Sequence, residues 1–159
     1  MPNDIFSTDP MVAQNFFLEI DGSVVSSLIG VSGLDVEVGV STTKQVGKDG
    51  KQQLVKTLGE VTNVPDLSLT RVAPSDMSND KLWGWFNDIR DKGIKLADRT
   101  NNRKNGSIVL YDHTHAEVAR FNFFNGWPSK IATDGLSVDS QDAVKETITL
   151  TIERLARVK

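Results

Sequence analysis

The C-terminal stretch of the chain alternates strictly between two kinds of side chain. The first set of alternate positions is Glu146, Ile148, Leu150 and Ile152, and the second is Thr147, Thr149, Thr151 and Glu153. Successive side chains of a β-strand point to opposite faces, so this period of two predicts a strand with one apolar and one hydroxyl-bearing face. We predict this strand over Ala143–Val158, and we expect its second face to meet water or a polar surface of another subunit.

Composition and charge narrow the class of protein. The chain has 159 residues, no cysteine and a formal net charge of −3. This length suits one domain, the charge argues against a nucleic-acid binder, and no apolar run approaches the ~20 residues that span a bilayer. The first residues show no basic region followed by an apolar core. We therefore expect cytoplasmic synthesis without a secretory signal, and no stable membrane insertion.

The remaining pattern predicts a mainly β fold. Residues 1–14 have no period and are interpreted as an N-terminal arm, followed by a single domain over residues 15–159. Further strands are predicted at Asn15–Ile20, Val24–Ser32, Leu34–Thr43, Leu54–Val61, Asp66–Val72, Ser107–Asp112 and Glu117–Asn125. We expect Trp127-Pro128 to end the last of these, because proline cannot donate to a ladder. Without βαβ alternation, the fold class is two antiparallel sheets forming a sandwich or small barrel with one flanking helix.

One helix is predicted over about residues 79–92. Its apolar side chains recur at helical spacing and form one stripe, which consists of Leu82, Trp85, Phe86 and Ile89. Ser78 is the expected N-cap, and Gly93 is the expected residue just past the C-terminus. Gly84 lies inside the helix at a cost of ~1 kcal/mol against alanine, which suggests that another element packs closely there.

A polar, glycine-bearing stretch follows the predicted strand Leu34–Thr43. We predict that about residues 44–56 form an extended hairpin loop that is too polar to fold onto its own domain. The central residues of this loop are Lys44, Gln45, Val46, Gly47, Lys48, Asp49, Gly50, Lys51 and Gln52.

No group of residues has the spacing of a catalytic, cofactor or metal site. His113 and His115 are two residues apart, but no third or fourth ligand follows at a metal-site spacing, so two exposed turn histidines is the better interpretation. Asp35 and Glu37 are paired carboxylates of the kind that glycosidases use, but a solvated strand face is the commoner explanation. The stretch Gly47–Lys51 lacks the glycine spacing of a phosphate loop. We expect a protein that is not an enzyme and that has no cofactor.

The aromatic residues leave a second function open. Phe121, Phe123 and Trp127 could stack a ligand, so the alternative is a soluble β-sandwich module that binds a small ligand or glycan, although such aromatics more often belong to the core. Two strands with polar faces, a projecting loop and an arm instead favour a subunit that shares a barrel with its neighbours. Closing a sheet removes exposed edges, and a large barrel encloses a water-filled lumen.

Several segments together resemble a known family. They are Val31–Val38, Leu67–Arg71, Leu82–Trp85, Phe123–Lys130 and Glu146–Leu150, followed by Glu153. Their order and spacing, from about Phe16 to Leu155, resemble the tail tube proteins of contractile phage tails and of bacterial contractile injection systems. The loop departs from the family pattern, since Leu58-Gly59 stands where members often have Leu-Pro-Gly.

The resemblance implies a structural role. In such systems six copies form a ring, the rings stack into a hollow tube, and a contracting sheath drives the tube through a target envelope. The implied partners are further copies of the chain, the sheath protein, baseplate and tube-terminating proteins, and cargo in the lumen. The implied location is a phage tail or tail-like particle that is assembled in the bacterial cytoplasm and can be released. The loop at about 44–56 would be the inter-ring arm, and the helix would lie away from the lumen.

The polar strand faces suggest which residues line such a channel. The candidate lumen-facing residues are Asp35, Glu37, Ser41, Thr147, Thr149 and Thr151. An acidic and hydroxyl-bearing set of this kind would keep the channel wet and weakly repel anionic cargo.

Overall fold

The computed structural model describes residues 13–59, 64–93, 102–139 and 141–159. Most of the predicted N-terminal arm lies outside these residues. The elements within them are β1 (Asn15–Ile20), β2 (Ser23–Leu28), β3 (Gly30–Ser32), β4 (Val40–Val46), β5 (Gln52–Leu58), β6 (Leu67–Val72), α1 (Lys81–Lys92), β7 (Lys104–Tyr111), β8 (Glu117–Thr133), β9 (Lys145–Thr151) and β10 (Arg154–Arg157). The predicted mainly β class with one helix is confirmed.

Strand β8 organises the main sheet. Antiparallel neighbours follow the order β2-β1-β7-β8-β9-β6-β3, and β10 also pairs with β8. The first part of β8 pairs with β7 and β10, whereas the part from Trp127 to Thr133 pairs with β9. Strand β8 therefore belongs to two layers, one with β1, β2, β7 and β10, and the other with β3, β6 and β9. Among the residues described, the sheet does not close into a barrel.

The core lies between these layers and beneath the helix. Its fully buried side chains include Leu18 and Phe123 from the first layer, Leu69 and Ile148 from the second, and Leu82 from α1. On β9 the aliphatic positions are buried and the threonines are half-buried. The alternation predicted for the C-terminal stretch is confirmed, and it places the threonines on the side of the sheet that faces away from the core.

Two predicted strand boundaries are wrong for one reason, which is that the chain changes layers. The predicted strand Ala143–Val158 is divided into β9 and β10 at residues 152–153, because β9 pairs with β6 and the later part of β8, whereas β10 pairs with the earlier part of β8. The predicted strand Val24–Ser32 is divided at Ile29, because β2 pairs with β1 and β3 pairs with β6. At each interruption the chain passes from one layer to the other, so that consecutive strands belong to different layers.

Strand β8 also continues through the proline that was expected to end it. Pro128 is buried opposite Leu150, and the ladder shifts register between Pro128 and Lys130. An irregularity of this kind is where a sheet tolerates a residue without an N–H. The prediction that Trp127-Pro128 ends the strand is therefore wrong.

The chain between Gly33 and Asp66 forms an insertion into the second layer. The predicted continuous strand Leu34–Thr43 is wrong, because residues 33–39 contain no strand and β4 begins at Val40. The predicted hairpin is confirmed and is longer than expected: β4 and β5 form a separate two-stranded sheet. The predicted return strand Leu54–Val61 is β5, and residues 60–63 lie outside the described part of the chain.

Helix α1 keeps its predicted apolar stripe and C-terminus but has a different N-cap. Asp80, rather than Ser78, caps the helix, since its carboxylate accepts a hydrogen bond from the Trp83 N–H. Gly93 ends the helix as predicted, and its N–H donates to the Ile89 carbonyl. The close packing expected at Gly84 is wrong, because a Cβ built there meets no atom within 4 Å.

Gly33 lies where the two ends of the insertion come together. Its φ is +87°, and a Cβ at this position would lie 2.3 Å from the carbonyl oxygen of Asp66. A non-glycine residue would adopt this conformation only with strain, and the backbone of Asp66 cannot move aside as a flexible side chain could. Glycine therefore allows the outgoing and returning chain to leave the sheet side by side.

We predict opposite effects of alanine at two glycines. Gly33→Ala should lower the free energy of unfolding by about 2 kcal/mol or more, because it adds left-handed strain and a backbone clash. Gly84→Ala should raise it by about 1 kcal/mol, because the site is helical and has open space. Urea unfolding of the unassembled subunit measures both changes. Equal stability of the two variants would contradict this description of Gly33.

Candidate assembly surfaces

The projecting hairpin has few contacts that could hold it in place. Every residue of β4 is exposed, and in β5 only Val55 is half-buried. Its turn is closed by the Gly47 N–H, which donates to the Lys51 carbonyl, and by Gly50 at a φ of +76°. Four exposed aliphatic side chains lie on the hairpin, namely Val40, Val46, Leu54 and Leu58. A two-stranded sheet alone is marginally stable in water, so this surface is suited to a partner.

The second layer carries a hydroxyl face on the side away from the core. Residues paired directly across an antiparallel sheet share a face. One row across four strands is Ser32, Ser68, Thr149 and Lys130, and the next row is Gly30, Thr70, Thr147 and Ala132. Lys130 is the one charged residue in these two rows. This face is polar and mostly uncharged, and apart from Lys130 its side chains are short.

Helix α1 and the hydroxyl face lie on opposite sides of the second layer. Glu146 belongs to the core-facing set of β9, and its carboxylate accepts a hydrogen bond from the indole N–H of Trp83 on α1 at 3.2 Å. Trp85 is buried in the core cluster, and its indole N–H donates to the Asn102 carbonyl at 2.8 Å. The helix thus covers the core side, and the hydroxyl face stays open.

A buried ionic cluster holds the helix on the sheet. The guanidinium of Arg71, which is 3% exposed, donates to both carboxylate oxygens of Asp80 and, at 3.2 and 3.1 Å, to Glu146. It also reaches the Ser26 hydroxyl at 3.4 Å. Because Asp80 is the N-cap of α1, one arginine connects β6, β9, β2 and the start of the helix.

The ionisation of this cluster follows from its contacts. Burial raises the pKa of Asp80, but hydrogen bonds from Arg71 and Trp83 together with the charge of Arg71 leave that pKa below its usual value. Burial lowers the pKa of Arg71, but the bonds and charges of Asp80, followed by those of Glu146, leave it raised. Removing one partner of this cluster would leave an uncompensated buried charge.

The structure separates the predicted lumen residues into two groups. Thr147, Thr149 and Thr151 share the outward face of β9. Asp35 and Glu37 are exposed in the strandless residues 33–39, and Ser41 lies on β4 of the hairpin. Sequence reasoning missed Ser68 and Thr70, which alternate with the buried Leu67 and Leu69 and could have been found from that period. Ser32 and Lys130 join the face only through strand register.

The two histidines that were considered as metal ligands lie in a hydrogen-bonded turn. His113 and His115 are exposed in the β7–β8 turn, where Asp112 accepts hydrogen bonds from the Thr114 hydroxyl and from the N–H groups of Thr114 and Ala116. These bonds, led by that of the Thr114 hydroxyl, lower the pKa of Asp112. Over the ranges that the structure covers, no three His, Asp or Glu side chains are grouped as metal ligands.

The aromatic side chains that were considered for stacking a ligand are buried or partly buried. Phe123 is completely buried, and a Cβ at Gly106 would lie 2.5 Å from its ring, so the ring fills space that glycine leaves open. Phe121 and Trp127 are partly buried against the core. No helix within the described ranges has the length and apolar character needed to cross a membrane.

We predict that the buried cluster contributes far more to stability than a surface ion pair does. Arg71→Met should lower the free energy of unfolding by about 3–5 kcal/mol, because two buried carboxylates lose their partner. Arg90→Met, at the exposed Arg90–Asp91 pair of the same helix, should change it by less than about 1 kcal/mol. Urea unfolding at neutral pH measures both values, and similar losses in the two variants would contradict the assignment.

Several solved structures are similar to this fold. One is described as the anti-feeding prophage cap, a tube-terminating cap, with a TM-score of 0.70 and 19% identity over 98% of this chain and 95% of that one. A second is a sheath-tube complex of an extracellular contractile injection system in the extended state, with a TM-score of 0.68 and 19% identity over 93% of this chain and 90% of the other.

A third solved structure is the anti-feeding prophage baseplate, six-fold symmetrised, with a TM-score of 0.72 and 16% identity over 95% of this chain and 97% of that one. At these identities the likeness shows a shared fold. No curated protein sequence matches the chain. The family model described as T4-like virus tail tube protein gp19 matches residues 12–156. The chain therefore belongs to the T4-like tail tube protein family.

Proposed function

We propose that the chain is a structural subunit of the inner tube of a contractile injection system or contractile phage tail. The observation that carries this proposal is the hairpin Val40–Leu58, a separate sheet with four exposed aliphatic side chains and little contact with its own domain. A hairpin of this kind gains stability when a neighbouring molecule covers it. Membership of a tail tube family supports the assignment.

In this proposal six copies form a ring and the rings stack. The residues 44–56, at the centre of the hairpin, form the inter-ring arm. The description of a similar solved structure as a six-fold symmetrised baseplate supports the ring size. The sheath protein, baseplate proteins and tube-terminating proteins are the expected partners, and the particle is assembled in the cytoplasm. Contraction of the sheath then drives the tube through a target envelope.

We assign the hydroxyl face to the lumen. The helix covers the core side of the second layer, so the opposite side is the one left open to a channel. The assignment includes Thr147, Thr149 and Thr151. It leaves out Asp35, Glu37 and Ser41, which lie in the insertion rather than on this face. A lumen of hydroxyl groups with one lysine per subunit in the central rows would stay wet and carry little of the negative charge expected from the sequence.

The alternative of a ligand- or glycan-binding module has no specific observation in its favour. Phe123 is core, and the described residues bring Phe121 and Trp127 against that core rather than into a shared cleft. Work as a tube subunit requires no catalytic group.

We predict that shortening the hairpin prevents the rings from stacking but leaves the subunit folded. Deleting Gly47–Lys51 joins Val46 to Gln52, so the outermost ladder pairs are replaced by a new turn. The subunit should keep its fold, because this segment adds nothing to the core, but long tubes should be lost. Circular dichroism measures folding, and negative-stain micrographs measure tube length.

The control is a change in another exposed turn. His113→Ser, in the β7–β8 turn, should leave both folding and tube length unchanged. Tubes of ordinary length after the hairpin deletion would contradict the role given to the arm.

We also predict that Thr149 is reached through the channel. The chain has no cysteine, so Thr149→Cys introduces a single thiol. In assembled tubes a small maleimide should label it, and a maleimide carrying a large polymer should not, because that reagent does not enter the lumen. Mass spectrometry measures the labelled fraction.

Asp91→Cys provides the matched control on the exposed face of α1. Both reagents should label it in naked tubes. Labelling of Thr149→Cys by the large reagent at the rate of Asp91→Cys would place the hydroxyl face outside the tube.

A further inference from the structure

The hairpin insertion leaves the second layer at one end only. Gly33, at the start of the insertion, adjoins Asp66 at its end, and Leu67 follows directly as the first residue of β6. In the ladder, Leu67 pairs with Leu150, near the C-terminal end of β9. The hairpin is therefore attached at the end of the layer where β6 begins and β9 ends.

The β8–β9 connection lies at the opposite end of the same layer. Val72, the last residue of β6, pairs with Lys145, the first residue of β9. Just beyond this pair, the Asp134 N–H donates to the Lys145 carbonyl and the Ala73 N–H donates to the Val144 carbonyl. The ladder from Leu67 to Val72 separates the two ends by roughly 17 Å at ~3.4 Å per residue.

This connection forms an open groove of about 420 Å³. The residues that line it include Asp134, Leu136, Val138, Asp142, Val144 and Lys145. Leu136 is 74% exposed and Val138 is 101% exposed. Exposed aliphatic side chains beside one another make this surface suited to contact with another molecule.

The charges of the two ends are complementary. The hairpin Val40–Leu58 carries four lysines and one aspartate, a net charge of +3. The connection from Asp134 to Lys145 carries three aspartates and one lysine, a net charge of −2. Opposite patches of this kind direct association and set the orientation of the partners. Both surfaces also combine exposed aliphatic side chains with their charges.

We propose that the groove of the β8–β9 connection receives the hairpin of a second copy of this chain, in the adjacent ring. This inference rests on the proposed function and adds the surface that the arm meets. The contact is heterologous, because a surface at one end of the layer binds a different surface at the other end. Repeating a heterologous contact that does not close produces an open stack rather than a closed dimer.

Charge reversal tests the pairing. Lys48→Glu with Lys51→Glu on the hairpin should abolish tubes and leave folded rings or subunits. Asp134→Lys with Asp139→Lys on the connection should do the same. All four changes in one chain should restore tubes, because the complementarity returns with its sign inverted. Asp88→Lys with Asp91→Lys, on the exposed face of α1, is the matched control and should leave tubes intact.

Cross-linking provides a second measurement that does not depend on charge. In the cysteine-free chain, Lys48→Cys with Val138→Cys should give a ladder of covalent oligomers when assembled tubes are oxidised. The single variants should give none. Negative-stain micrographs and non-reducing gels read out the two experiments.

The outcomes separate this inference from the proposed function. If the unchanged chain forms neither rings nor tubes, the proposed function fails. If it forms tubes that the hairpin reversal abolishes, but the reversal at the connection has no effect or the fourfold variant is not restored, the hairpin binds elsewhere and this inference is overturned. Absence of the covalent ladder in intact tubes would overturn it as well.

Discussion

The register between β6 and β9 is the constraint on which the structure depends. Arg71 and Glu146 are direct partners in this ladder, and both are buried on the core side. A slip of one residue would turn Ile148 outward and bring a threonine into the core, because side chains alternate with a period of two. It would also separate a buried carboxylate from its guanidinium. Packing and charge pairing thus select the same register.

This register links the core to the surface. With Glu146 inward, Thr147 and Thr149 face away from the core, and the cross-strand rows align them with the hydroxyls of β6 and β3. The same Arg71 contacts the N-cap of α1 and fixes the helix on the core side. A polar face open on one side, and a helix on the other, are therefore consequences of one ion cluster rather than separate features.

Much of the subunit could be predicted from local pattern. The alternation of β9, the apolar stripe of α1 and the polar hairpin are each encoded within a few residues, so sequence reasoning identified them. The N-cap was predicted wrongly because Asp80 is selected by Arg71, which is nine residues away in sequence and belongs to a different element. The continuation of β8 past Pro128 depends on a register shift against β9, and no local signal indicates it.

The predicted strand Leu34–Thr43 is a different kind of error. Its alternation is genuine, but Val36, Val38 and Val40 are all more than 60% exposed in the subunit. A hydrophobic pattern indicates that a face becomes buried and does not say which molecule covers it. The candidate assembly surfaces were likewise only partly visible, because Ser32 and Lys130 reach the hydroxyl face through pairing between distant strands.

We interpret the wetted sheet face and the projecting hairpin as parts of a tube made of many copies. A cryo-EM reconstruction of the purified protein at high concentration tests this interpretation. We expect stacked six-membered rings, with Thr149 facing a central channel and the hairpin Val40–Leu58 covered by the next ring. A population of single subunits at every concentration, with Thr149 open to bulk solvent, would contradict it.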